Sequence, residues 1–160
     1  MNRRLFGPFA LLAAAIGASA ARANMPPMPR LKPKHRLVFH VGSGEPATMT
    51  TALHNIVNAA AHFIAEDEHI AQNGRLWIEL VANSAGYMML RADTSPVKDL
   101  IAEVHGKFPF VVFSACQISR KAAAKREGKA IPQLSEATDV PSGVVRLCEL
   151  QEDGWSYVRV

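Results

Sequence analysis

The sequence predicts an α/β protein, a three-layer α/β/α sandwich built on a mainly parallel sheet of about five strands. Three observations lead there. Short runs of β-branched and aromatic residues alternate with longer stretches of helical periodicity, the signature of successive βαβ units. The first and third of these runs, Arg36 to Val41 and Phe108 to Ala115, are almost continuously apolar, as strands buried on both faces must be. Gly, Asn and Pro punctuate the joints, at Gly42-Ser43-Gly44, Asn73-Gly74, Ser95-Pro96, Gly128 and Pro141-Ser142-Gly143.

Taken in order, Arg36-Leu37-Val38-Phe39-His40-Val41 reads as the first strand. A helix follows from Thr48 or Thr50, either a good N-cap, to Glu66. Its residues Leu53, Ile56, Val57, Ala60, Ala61 and Ile64 form a stripe of helical spacing, with His54, Asn58 and His62 on another face. Asn73-Gly74 turns the chain into a second strand, Arg75 to Val81, ended by Asn83-Ser84-Ala85-Gly86 and a short helical turn from Tyr87 to Leu90. Ser95-Pro96 supplies an N-cap and first helical position for a helix ending at Gly106.

The third strand runs into Cys116, and the Ala-, Lys- and Arg-rich helix after it stops at Gly128. A short strand is expected near Ala137 to Val140, then a helix from Val144 to Gln151 whose Cys148 is read as packed among Val144, Val145 and Leu147. Trp155 to Val160 alternates as a final edge strand.

The first 23 residues stand apart. Arg3 and Arg4 precede an uncharged apolar run, Leu5 to Ala20, and Ala21-Arg22-Ala23 has small residues at the cleavage positions, so residues 1–23 read as a secretory signal peptide. The paired arginines also fit the twin-arginine export signal, and the sequence does not choose between routes. Residues 24–34, with Pro26, Pro27, Pro29 and Pro33, read as a Pro-rich extended arm, leaving 35–160 as the folded domain. The expected location is outside the cytoplasm, in a bacterial periplasm.

Without the signal the formal charge falls from +4 to +1, because Arg3, Arg4 and Arg22 go and no acidic residue goes with them. A nearly neutral domain has no general electrostatic claim on nucleic acid. No later segment approaches the ~20 apolar residues of a membrane span. No metal or cofactor is expected: the histidines lack ligand spacing, and Gly42-Ser43-Gly44-Glu45-Pro46-Ala47 matches the dinucleotide fingerprint only in form. Glu45 would repel a pyrophosphate and Pro46 removes a donor N–H.

Cys116 is the residue most suited to chemistry. It lies where a strand's carboxyl end meets a helix N-terminus, and orphan N–H groups there favour the thiolate, with Arg120 and Lys121 one turn on adding positive charge. The competing reading is a buried cysteine acting as a small hydrophobe. Two cysteines also allow one disulfide, Cys116 to Cys148, if their Cα atoms come within about 7 Å. His40, at the same carboxyl edge, is a candidate acid, base or hydrogen-bond partner.

Several segments together resemble the DsrE/DsrF-like family, particularly its YchN-like branch. They are Leu37 to Val41, Ala52 to Asn58, Val81 to Leu90, Phe113 to Ser119, and Val140 to Val145 continuing through Leu150-Gln151 to Gly154 to Val158, in that order. The resemblance implies a parallel five-stranded α/β/α fold, homotrimers or hexamers, and a sulfur-relay role in which Cys116 carries persulfide and exchanges it with a thiol or sulfur-donor protein. On that reading His40, Asn83, Ser84 and Ser142 surround the thiol. Export is a departure, since relay members of the family act in the cytosol. The alternative is a non-catalytic small-ligand-binding or oligomeric assembly module in which Cys116 is only packed. A nucleotide or metal enzyme is the weakest of the three readings.

Overall fold

The computed structural model describes residues 34–160. The proposed signal peptide and all but the last residue of the Pro-rich arm lie outside the described residues. Five strands, β1 (His35–Val41), β2 (Leu76–Ala82), β3 (Val111–Cys116), β4 (Ala137–Val140) and β5 (Ser156–Arg159), form one sheet in the order β4-β3-β2-β1-β5, and every neighbouring pair is parallel. Four helices connect them: α1 (Pro46–Glu66), α2 (Lys98–Lys107), α3 (Gln117–Glu127) and α4 (Gly143–Glu152). A 3-10 segment, Ser84–Leu90, precedes α2.

The strand order decides which face each helix covers. From β1 to β4 the chain steps across the sheet in one direction, and from β4 to β5 it returns past β1. Right-handed crossovers then put α1, α2 and α3 on one face and α4 on the other. The packing agrees. The larger core joins Phe39, Val41, Ile78, Leu80, Phe113 and Ala115 of the sheet to residues of α1, α2 and α3, such as Leu53, Ile101 and Ala123. Their alternate neighbours Val38 and Val81 pack with Leu147, Leu150 and Trp155 on the α4 side. A strand's period of two therefore sorts its side chains between two unequal layers.

Some boundaries differ from the sequence expectation. Helix α1 begins at Pro46, because proline's preset φ suits the first helical position and its missing N–H would have no partner there; the cap residue is Glu45. The buried stripe also starts earlier, with Val57 and Ile64 packed at its margin. Met49 and Ala52 join Leu53, Ile56 and Ala60, while Ala61 is exposed. Ser95 does not cap α2: its hydroxyl donates to the Met89 carbonyl at 2.6 Å and accepts from Val97 N–H, so the helix starts later, at Lys98. Gly106 lies within α2 and Phe108 is its C-cap. Cys148 is exposed on α4 and not packed, and it and Cys116 are both free thiols.

Among the described residues no helix is long and apolar enough to cross a membrane. The 3-10 segment is held close to the sheet by Gly86, where an added Cβ would fall 2.1 Å from the Val41 carbonyl oxygen.

Candidate functional site around Cys116

Strands β3 and β4 are neighbours, yet the chain leaves β3 for α3 on one face and leaves β4 for α4 on the other. Their carboxyl ends therefore bound a topological switch point, the crevice in which open α/β sheets bind ligands. Cys116 ends β3 and is the N-cap of α3, and Ser142-Gly143 opens α4 beside it. The starts of two helices thus converge on one sulfur.

Gly143 makes that convergence possible. A Cβ at this position would lie 2.8 Å from Asn83 Cβ, 3.3 Å from Cys116 Cβ and 3.4 Å from Val81 Cγ1. With only hydrogen there, the first turn of α4 settles against the strand ends and its N–H faces the thiol. Ser142 caps the helix by accepting from Val145 N–H.

Cys116 is 4% exposed. Burial pushes its pKa up, but the Ser119 hydroxyl and the Gly143, Ser119 and Ile118 N–H groups outweigh burial and hold the pKa below the ordinary thiol value. The cysteine closes no regular capping hydrogen bond as the N-cap of α3; the donors are disposed for the charged sulfur. Ser119 is aimed by its own partner. Ser84 N–H donates to Ser119 Oγ at 2.8 Å, so the hydroxyl accepts on that side and its proton is free for the sulfur. Ser84 holds this position with φ of 49°, a left-handed conformation found at no other non-glycine among the described residues.

Beside this cluster, His40 is hydrogen-bonded through both ring nitrogens, Nδ1 to Tyr157 Oη at 2.7 Å and Nε2 to Asn83 Oδ1 at 3.1 Å. With the Asn83 oxygen as acceptor, Nε2–H donates to it, so the ring is held between the tyrosine and the amide. Asn83 is buried and joins the two groups, touching His40 through its amide and lying against Gly143 through Cβ.

The structure brings His40, Asn83, Ser84 and Ser142 to the same sheet edge as Cys116. Arg120 is not directed at the thiol. Its Nε donates to the Ile131 carbonyl at 3.0 Å and its Nη1 pairs with Asp139 at 3.4 Å, tying α3 to β4 and the segment before it. The sequence reading missed Ser119, Gly143 and Tyr157 as site residues. For Ser119 a signal was present in Cys116-Gln117-Ile118-Ser119: the third residue after an N-cap lies in the same first turn as the cap. Gly143 and Tyr157 reach the site only through sheet order.

On the other side of Ser84 and Ser119 an open groove of ≈ 520 Å³ runs between the 3-10 segment and α3. Met88 and Ile118, both well exposed, line it with Ala122 and Arg126. Its volume is that of a small-molecule site.

No family model and no curated protein matches the chain. Among solved structures the chain is similar to a protein of unknown function, MTH1491 from Methanobacterium thermoautotrophicum. The two are 28% identical with a TM-score of 0.61, over 79% of this chain and 99% of that one. The architecture, a five-stranded parallel sheet between helical layers, is therefore shared with a protein whose own role is open.

Proposed function

We propose that this is an exported sulfur carrier of the DsrE/DsrF-like family, holding sulfane sulfur as a persulfide on Cys116. One observation carries the reading. The buried sulfur stands where the starts of α3 and α4 converge, with Gly143 packed against the Cys116 Cβ, and the Ser119 hydroxyl and the N–H groups there hold its pKa below the ordinary thiol value. Such donors stabilise an anionic sulfur and leave a nucleophile at neutral pH.

The step is an exchange. The Cys116 thiolate attacks the terminal sulfur of a donor R–S–SH; the new S–S bond forms as the old one breaks, and its electron pair leaves on R–S⁻. The product, Cys116–S–SH, keeps the donor's terminal proton, and no outside oxidant or reductant is consumed. Discharge repeats the step, with an acceptor thiolate attacking the outer sulfur and Cys116 leaving as the thiolate. The same ring of donors serves entry and exit, since both need negative charge on the Cys116 sulfur.

Oligomerisation belongs to this reading. Val144, Val145 and Tyr157 are large apolar residues left 60%, 54% and 40% exposed near the α4 end of the site. They suit an interface between copies, a trimer or hexamer, that would wall the thiol.

Incubating the protein with inorganic polysulfide tests the proposal. A mass gain of one sulfur on Cys116, absent in Cys116→Ser, is expected. No adduct on wild type, or an equal adduct on the serine variant, overturns it. The second reading, a small-ligand-binding or assembly module with a merely packed cysteine, is favoured by the 4% exposure of Cys116. It requires slow alkylation near neutral pH and an oligomer indifferent to Cys116→Ala.

A further inference from the structure

Beneath α4 lies a buried charge outside the immediate surroundings of Cys116. Glu79, in the middle of β2, is 2% exposed and points to the α4 side of the sheet. Its Oε1 accepts from Ser114 Oγ at 2.5 Å and from Arg146 Nε at 2.8 Å, and its Oε2 accepts from Arg146 Nη2 at 2.7 Å. The arginine fork is therefore bidentate, and three donors converge on one carboxylate. Arg146 also reaches Glu149, 3.7 Å away on the same helix.

These partners belong to the elements that build the thiol site. Ser114 is on β3 two residues before Cys116, so both side chains face α4. Arg146 is on α4 three residues after Gly143. Glu79 thus ties the strand that carries the sulfur to the helix whose first N–H faces it. Apart from this link α4 sits on a small apolar patch, Val38, Val81, Leu147, Leu150 and Trp155. Apolar contact is non-directional and tolerates a slide along the sheet, whereas a bidentate charge pair admits one register.

We propose that Glu79 is a positioning residue for the Cys116 thiolate, acting through Arg146 to key the α4 N-terminus onto the sulfur. This deepens the proposed function and rests on Cys116 being a reactive thiol. Removing the key should leave the fold intact and loosen the first turn of α4.

The test uses Glu79→Gln, which keeps size, and the double variant Glu79→Met/Arg146→Leu, which replaces the pair by apolar groups and avoids stranding a buried charge. For each folded variant, Cys116 alkylation is followed against pH by site-resolved mass spectrometry, with exposed Cys148 as internal reference. Amide exchange is read at Gly143, Val144 and Val145. The proposal expects Cys116 alkylation at neutral pH to slow by about tenfold, its pH midpoint to rise, and exchange at the three amides to accelerate, while Cys148 keeps its rate. A purely structural role would lower the melting temperature and leave the Cys116 pH profile unmoved. Either folded variant with a wild-type profile overturns the proposal. An ordinary thiol profile in the wild type would instead sink the sulfur-carrier reading on which it rests.

Discussion

Gly143 stands against Cys116 so closely that a Cβ on the glycine would lie 3.3 Å from the cysteine Cβ, although 27 positions separate them in the chain. That approach lets the start of α4 join the start of α3 at one sulfur.

Gly143→Ala is therefore expected to disturb the site more than the fold. The new Cβ would meet Asn83 Cβ at 2.8 Å, too close for a side-chain stem to yield freely, so α4 must shift outward. A stability loss of about 1–3 kcal/mol is expected from such overpacking. The Gly143 N–H moves from the sulfur, and the thiol pKa rises toward its ordinary value. Thermal melting and the pH dependence of Cys116 alkylation measure the two effects separately.

Ser119→Ala removes the hydroxyl that lowers the Cys116 pKa and accepts from Ser84 N–H. Alkylation of Cys116 at neutral pH should slow by about tenfold, since a charge-assisted hydrogen bond is lost, and stability should fall by about 1 kcal/mol. Cys116 reactivity unchanged in the folded variant would exclude Ser119 from the site.

Acid sensitivity should trace to Arg91. This arginine is 5% exposed and forks onto Asp93, both bonds at 2.9 Å, and onto Glu127. Its hydrogen bonds hold the pKa of Asp93 well below its usual 3.8 and that of Glu127 below its usual 4.5. Both folded-state values are depressed, so the stabilisation is complete above the unfolded values and is lost as pH falls through the folded ones. Urea midpoints across the acid range should drop below about pH 4.5 in wild type. In Arg91→Gln the part of that slope owed to Asp93 and Glu127 should vanish. An identical slope in the variant would contradict the assignment.

Val144→Lys/Val145→Lys places two cations on the most exposed apolar stretch of α4. If copies assemble there, light scattering on the eluted protein should show an oligomer for wild type and a monomer for the variant, because burying unpaired charge is costly. A monomeric wild type, or an oligomeric variant, would remove this surface from the interface.

Most of the secondary structure was legible in the sequence for physical reasons. Buried parallel strands need near-continuous apolar runs, which Val38 to Val41 and Val111 to Ala115 supply, and a helix on a sheet needs a stripe, which Leu53, Ile56 and Ala60 supply. Cys116 could be placed at a strand-to-helix joint because Gln117 onward changes composition so sharply. Helix starts were less legible. Ser95 offered a capping side chain, but its hydroxyl is taken by the Met89 carbonyl.

By itself, then, the sequence determined the class of fold, the run of elements and the one thiol at a helix start, because those follow from local periodicity and composition. Only the tertiary structure decided what surrounds that thiol. Sheet order and crossover handedness bring β4's exit beside β3's end and send α3 and α4 to opposite faces. From that follow the Gly143 approach, the Glu79 link from Ser114 to Arg146, and the pairing of His40 with Tyr157 across 117 positions. The same order turns Arg120, four positions after Cys116, away toward Asp139. Contacts between distant segments depend on which strands become neighbours, and no local pattern in the chain encodes that choice.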